Sequence, residues 1–434
     1  MASKTGYTST ISGTHGRVFA DPTPSPDPTS FQVNNTSSEY YQSPYFLAHK
    51  NQVQPIPSPS MGQPRMDLAD VLGGDFIAQI QKAGKIVFNA VGDTGAAKVS
   101  HTQTAAMALE DAEGVADSMV SEVQPGGANA PAFLFHLGDV IYSFGEAQYY
   151  HDQFYEMYRE YDRPIFAIPG NHDGMVFGAS SVTPQVPTLE AFLRNFCATT
   201  PAPSPDSGGL VRSVMTQPGV YFTLDAPFVS IIGLYSNVLD GPGVISSQGG
   251  HYPISDEQLT FLKAELARLK PDHDAGNRAV ILAVHHPPAS IDGKHGGSTG
   301  ISEDIDNCCT AAGLWPDAVL SGHAHLYQRF SRSVPGLGRS IPYITAGSGG
   351  YAITAPKGKT PAGTTSGPFT LVTPPIVQFG YLTVTVDMSG AKKTLTIAFK
   401  STKGATDNVT VPLNAVAGQP AAAAPKGKPT KNRS

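Results

Sequence analysis

Short apolar runs without polar alternation recur through the middle of the chain, and they limit its folds more than any other feature. "KIVFNAVGD", "AFLFHLGD", "PIFAIPGNHD", "GVYFTLD", "FVSIIGLY", "AVILAVHH" and "DAVLSGHAH" all have this form. Strands of this type must be covered on both faces, which requires layers of sheet and helix. Stretches with helical spacing alternate with them, notably "TAAMALEDAEGVADSMVSEV" and "SDEQLTFLKAELARLK". The second carries Ser255 and Gln258 in capping-box spacing. In "YYHDQFYEMYREY", Tyr150, Phe154, Tyr158 and Tyr161 fall on one helical face, a stripe suited to packing on a sheet. Leu68, Val71, Leu72, Phe76 and Ile80 predict a further helix before the first of these strands. The expected class is therefore α/β.

Beyond this core, "YLTVTVD" and "TLTIAFK" alternate cleanly around a turn. They predict an antiparallel hairpin over 380–400, with Leu382, Val384 and Val386 facing Leu395, Ile397 and Phe399. Residues 1–65 are rich in Pro, Ser and Thr and read as an extended arm, either free or laid across the domain by its aromatics. Residues 66–412 form the folded domain, with the strand-rich core at 85–350, and 413–434 form a basic tail. At 434 residues the chain exceeds one average domain. Its 45 glycines, 37 prolines and 15% charged residues favour a loop-rich, β-containing protein.

Other classes are disfavoured. A net charge of −6 argues against a nucleic-acid surface, but not against phosphorylated substrates if cations supply the positive field. The three cysteines, Cys197, Cys308 and Cys309, make neither a disulfide framework nor a zinc spacing. No apolar run approaches the length of a membrane span. No signal peptide is visible at the N-terminus, so the chain reads as cytoplasmic or exported by a non-classical route. Its oligomeric state is not legible.

Several apolar runs end in side chains that bind metals: Asp93 in "GDTG", Asp139 and Tyr142 in "GDVIY", Asn171 and His172 in "GNHD", His285 in "HHPP", and His323 and His325 in "GHAH". A strand-end Asp alone is more often a turn former. Five such ends in one chain are different, because ligands of α/β proteins collect beyond the carboxyl ends of strands. Taken as extended, "GHAH" would point both histidines the same way.

The ordered set GD, GDxxY, GNHD, HxP and GHxH resembles the calcineurin-like metallophosphoesterase superfamily, in particular its purple acid phosphatase branch. That resemblance implies a four-layer αββα sandwich with mixed sheets. Other branches place a histidine two residues after the first Asp, where this chain has Gly95; the purple acid phosphatases use a tyrosine three residues after the second Asp, matched by Tyr142. The resemblance further implies two metal ions bridged by Asp139. One would be held by Asp93, Tyr142 and His325, the other by Asn171, His285 and His323. Hard oxygens suit Fe(III), while imidazole and amide oxygen suit Fe(II), Zn(II) or Mn(II).

The implied reaction is hydrolysis of phosphate monoesters at acidic pH, by attack of a hydroxide held by the metals. The substrate would be a phosphorylated small molecule or phosphoprotein. A phosphodiesterase or nucleotidase using the same centre, and a non-catalytic binding scaffold, are the alternatives. His172 is implied as phosphate ligand or general acid, or as a loop-orienting residue bonded to Asp173. His295 corresponds to a substrate-facing position, and His286 to a supporting one. His136, His101, His151 and His251 read as structural or surface residues. "YITAGSGGY" resembles the Gly-rich strand end that follows GHxH in the family.

Overall fold

The computed structural model describes residues 17–21, 56–96, 105–142, 144–174, 189–236, 242–247 and 255–413. Most of the N-terminal arm, nearly all of the C-terminal tail, His101 and His251 lie outside them. Among the described residues the strands are β1 (Arg65–Asp67), β2 (Lys85–Val91), β3 (Leu134–His136), β4 (Ile165–Ala167), β5 (Phe222–Ala226), β6 (Val229–Leu234), β7 (Ala279–Val284) and β8 (Ala318–Ser321). They continue with β9 (Tyr327–Ser333), β10 (Ser340–Ala346), β11 (Thr365–Ser366), β12 (Phe369–Leu371), β13 (Gly380–Asp387), β14 (Thr394–Ser401) and β15 (Thr406–Pro412). The α-helices are α1 (Ala69–Leu72), α2 (Gly74–Ala83), α3 (Ala105–Val123), α4 (Glu190–Phe196), α5 (Glu257–Asp274) and α6 (Thr299–Ala312).

The strands form two mixed sheets. One has the order β1-β5-β6-β7-β8-β10-β9-β12-β11, the other β15-β14-β13-β2-β3-β4. Within them β2, β3 and β4 run parallel, as do β6, β7, β8 and β10. Their inner faces meet in a shared core, where Phe135 of β3 stacks on Phe222 of β5 at 6.1 Å. Helix α3 covers the outer face of the smaller sheet through Glu122. This half-buried carboxylate accepts from Asn89 at 3.0 Å, Tyr381 at 2.7 Å, Thr383 at 2.9 Å and Lys400 at 2.6 Å. Helices α5 and α6 pack together over the larger sheet. This is the α/β layered sandwich with mixed sheets that the apolar runs require.

All seven apolar runs are strands, and the hairpin pairs as its alternation predicts, with Leu382 opposite Phe399, Val384 opposite Ile397 and Val386 opposite Leu395. Three local expectations change. The stripe of Tyr150, Phe154, Tyr158 and Tyr161 does not ride on an α-helix; the backbone forms a 3-10 turn at Ala147–Tyr149 and a π-turn at His151–Tyr155. Its four rings are buried all the same, because a continuous apolar surface can be covered by any local winding. The helix expected across residues 68–80 breaks at Gly73, whose φ of 79° separates α1 from α2.

The capping box at α5 does not form: the helix starts after Asp256 without a side-chain cap. Gln258 is instead buried and clamps Tyr235, accepting from its N–H at 2.8 Å and donating to its carbonyl at 2.7 Å. Gln217 clamps Ala167 in the same way, at 2.8 Å both ways. Gln153 does so to Tyr142, at 2.9 Å both ways. Each glutamine satisfies two buried backbone groups that would cost about 1–3 kcal/mol apiece if orphaned.

Of residues 1–65, read from the sequence as an arm, 17–21 and 56–65 are described; Ser60 bonds to Pro218 and Arg65 opens β1, while 17–21 lie against the segments around Arg159 and Ser213. Phe19 is buried, Val18 exchanges backbone and side-chain bonds with Ser213, and the Asp21 N–H donates to Arg159. Below them the buried Arg212 donates to the carbonyls of Phe19, Tyr158, Tyr161 and Arg163. Burial lowers its pKa to about 10.

Candidate metal centre

The parallel strands β2, β3 and β4 of one sheet, and β7 and β8 of the other, deliver their carboxyl ends to one place. Asp93 follows β2, Asp139 and Tyr142 follow β3, Asn171 and His172 follow β4, His285 follows β7, and His323 and His325 follow β8. The loops interlock through backbone bonds: the Asp93 N–H donates to Gly138 and the Thr94 N–H to Asp139. The His323 N–H donates to the Asp93 carboxylate at 2.7 Å and the His172 N–H to Asp139 at 2.9 Å. Asp173 accepts from Val140, Ile141 and Gly170 at 2.8–3.2 Å, joining the "GDVIY" and "GNHD" turns. Its carboxylate thus orients the loops through backbone amides.

This crowding explains the glycines before Asn171 and His323. A Cβ on Gly170 would lie 2.1 Å from Asp139 Oδ1, and one on Gly322 would lie 2.6 Å from Asp93 Oδ2. Asp93, Asp139 and His323 have φ of 59°, 54° and 66°, three of the five non-glycine residues with positive φ among those described. Such strain, of order 1–3 kcal/mol each, clusters where function demands a particular aim.

Seven side chains converge in the pocket so formed, all buried. The Tyr142 hydroxyl lies 3.0 Å from Asp93 Oδ1, 2.8 Å from Asp139 Oδ2 and 3.5 Å from His325 Nε2. His325 Nε2 is 3.4 Å from Asp93. On the other side His285 Nε2 lies 3.3 Å from Asp139 and 3.2 Å from Asn171 Oδ1, which is 3.0 Å from His323 Nδ1. Asp139 belongs to both groups. Asp139, His285 and His323 bring their donor atoms within 4.8 Å of one another. "GHAH" is a bend here, not extended chain. The left-handed His323 turns Nδ1 inward while His325 presents Nε2, so the two converge for a different reason from the one expected of a strand.

The other three candidates surround this core. His172 is half-buried with its ring 4.5 Å from that of Tyr142. His295 is half-buried, 4.6 Å from His323 and 5.0 Å from His325 ring to ring, and its Nδ1 is 2.8 Å from Asp292. His286 is fully buried, 4.1 Å from His323, with Nδ1 at 2.9 Å from Ser236. His136 lies beneath the site, between Thr94 at 2.9 Å and the Gly138 N–H at 3.2 Å; burial lowers its pKa to about 3.

Gly95 also has an explanation. A Cβ there would meet Tyr142 Cδ2 at 2.7 Å and Gln153 Oε1 at 2.5 Å. The tyrosine ring fills the space a side chain at position 95 would need, so a histidine at 95 and a tyrosine at 142 exclude one another. The sequence does not point to Gln153 or Asp292, and it reaches Tyr351 only as the last residue of "YITAGSGGY". Asp292 had a local signal, the turn-forming "IDGKH"; Gln153 had none, and nothing local sets Tyr351 against Tyr142, because these contacts exist only across the fold.

The electrostatics suit cations. Burial works against charge on Asp139, but His285 and His172 outweigh it and hold the carboxyl below its usual range. Burial likewise disfavours charge on His285, and Asp139 outweighs it, raising the imidazole above its usual value. His323 and His286 are pushed well below theirs by burial and then by neighbouring imidazoles, which keeps lone pairs free. Burial, then Asp139 and Asp93, keeps the Tyr142 phenol protonated. No lysine or arginine bonds to Asp93 or Asp139 among the described residues. Inward-facing donor atoms on carboxylate, amide and imidazole, packed within 3.5 Å with no lysine or arginine bonded to the two acids, fit two bound cations.

Residues 87–327 match the calcineurin-like phosphoesterase family, over more than half of the chain. The chain belongs to that family, whose members hydrolyse phosphate esters and hold two metal ions. Among solved structures, a purple acid phosphatase from yellow lupin (Lupinus luteus) seeds superposes with a TM-score of 0.52 at 14% identity. The match covers 76% of this chain and 54% of the lupin one, so the chain spans about half the length of that relative. A dimetal phosphatase from Danio rerio aligns over 76% of this chain and 99% of its own at 12% identity, with a TM-score of 0.45. No curated protein matches the chain in sequence. Among the described residues no helix is long and apolar enough to cross a membrane.

Proposed function

We propose that the protein is a purple acid phosphatase-like enzyme that hydrolyses phosphate monoesters at acidic pH with two metal ions. The observation that carries this reading is the meeting of the Tyr142 hydroxyl with both Asp93 and Asp139 at 2.8–3.0 Å, a hard-oxygen cluster built around a tyrosine. Asp93, Tyr142 and His325 hold a trivalent iron; Asn171, His285 and His323 hold Fe(II), Zn(II) or Mn(II); Asp139 serves both. When bound, these ions supply Lewis acidity toward the phosphoryl group and toward water.

The chain's own residues supply the rest. The Leu137 carbonyl accepts from His285 Nδ1 at 2.8 Å and so leaves Nε2 as the ligating atom. His172 and His295, half-exposed while the seven are buried, face the mouth of the site. His172 donates a proton to the departing alkoxide or a hydrogen bond to a phosphoryl oxygen. His295, aimed by Asp292, binds phosphate from the opposite side. His286 supports His323 from behind. A phosphorylated small molecule or phosphoprotein is the substrate class.

The test is hydrolysis of p-nitrophenyl phosphate beside bis-p-nitrophenyl phosphate across pH 4–8, with elemental analysis of the same preparation. Two metals per chain, with the monoester preferred at acidic pH, support the reading. Preference for the diester moves the protein to phosphodiesterase chemistry, and absence of metal from chelator-free preparations makes it a binding scaffold.

A further inference from the structure

The rings of Tyr142 and Tyr351 lie face to face, with centroids 3.5 Å apart and planes 1° from parallel. At a separation equal to a ring's own thickness the two are eclipsed. Aromatic pairs ordinarily avoid this, because the negative faces of two ring quadrupoles repel, and they settle into offset or edge-on contacts. Mutual attraction therefore does not account for the stack. Backbone does: Gln153 clamps Tyr142 at both its N–H and its carbonyl. The Tyr351 N–H donates to the Asp93 carbonyl at 3.1 Å, and the Gly349 N–H to that of Gly92 at 3.0 Å. The edge of Tyr351 also meets the ring of His325, at 5.2 Å and 83°.

We propose that Tyr351 is a positioning residue for the tyrosine ligand, locking the plane of Tyr142 and raising the electron density of its phenolate toward a trivalent cation. The proposal rests on the reading of Tyr142 as a ligand. The stack fixes the plane of Tyr142 with its oxygen already beside Asp93 and Asp139, so less ordering is left to be done when a cation binds. It also raises the energy of the phenolate π electrons, which lowers the energy of charge transfer from phenolate to iron. His325 is buttressed by the same ring, so two of the side chains around Asp93 share one support.

The experiment uses the full chain loaded with iron and zinc, as wild type, Tyr351→Leu, Tyr351→Phe and Tyr142→Phe. Visible absorption and iron retention against a competing chelator are measured. The wild type shows a visible band that Tyr142→Phe abolishes. Tyr351→Leu moves the band to shorter wavelength and loses roughly tenfold in iron affinity, the scale at which residues that orient a ligand act. Tyr351→Phe keeps both properties, because it keeps the π face. If Tyr351→Leu fails to fold, Tyr351→Met fills the space with a flexible side chain and no ring and carries the same expectation. A band and an iron affinity unchanged in the Leu or Met variant overturn the role of the stack while leaving Tyr142 as ligand. So does a Phe variant that behaves like Leu. A wild type loaded with iron and lacking any visible band overturns the ligand reading and this proposal with it.

Discussion

Two buried charged clusters in this molecule solve opposite problems. Around Arg212 one cation meets four carbonyls. Its donors are answered from within, and the cluster is closed. Around Asp139 the acids and lone pairs outnumber the donors, and no lysine or arginine bonds to either Asp93 or Asp139 among the described residues. That cluster is open, and it sits where three of the chain's left-handed non-glycine residues are forced together. A buried charge balanced by its own chain is architecture; a surplus of converging lone pairs is an address for something from outside.

Substitutions should separate the two. The largest effect is expected from Asp139→Asn, which removes the residue common to both proposed ion positions. Phosphatase activity falls about a thousandfold, metal content drops, and the melting temperature of the metal-free protein holds or rises because buried charge is relieved. A melting temperature that collapses while metal stays bound would mean that the open cluster is really architecture. Arg212→Met should do the reverse. Buried carbonyls left without a donor cost roughly 1–3 kcal/mol each before relaxation, so the denaturation midpoint falls sharply while kcat per folded molecule is kept.

Deleting residues 1–21 withdraws Phe19 and one acceptor from Arg212. It should cost about 2 kcal/mol, the scale of one buried aromatic, visible as a lower urea midpoint with turnover unchanged. Gly95→Ala pushes a methyl into the Tyr142 ring and costs about 1–2 kcal/mol by overpacking. Unlike the arm deletion, it should also weaken any visible band. The smallest effect concerns Asp292. Burial raises its pKa, but bonds from His295 outweigh this and lower it from 3.8 to about 2. A depressed folded value means that its stabilisation is complete above pH 4 and disappears as pH falls toward 2. The aim of His295 should thus survive at the acidic working pH proposed above, and Asp292→Asn should raise KM several-fold with little change in kcat. A pH-stability profile flat between 4 and 2, or unchanged by the substitution, removes the pairing from the account.

The layers and the strand ends were legible because their signals are local. Apolar runs such as "AVILAVHH" declare strands buried on both faces, and alternation in 380–400 fixes which side chains share a side. What failed was also local in origin. Ser255 and Gln258 have capping-box spacing, but Gln258 gains more by closing two buried backbone bonds on Tyr235 than by capping a helix end in contact with water. The aromatic stripe at 150–161 predicted burial correctly and winding wrongly, since burial depends on what covers the rings and not on the period that presents them.

From its sequence alone this protein is determined as an α/β layered chain of the metallophosphoesterase kind, with acids, amide and imidazoles at strand ends. Local sterics and hydrophobic period carry that information over a few residues at a time. Which nitrogen of His323 turns inward, why Gly95 must be bare, what satisfies Arg212, and that Tyr351 lies on Tyr142 were decided only by the tertiary structure. Each depends on atoms brought together from distant parts of the chain, and packing, not local conformational preference, sets their distance.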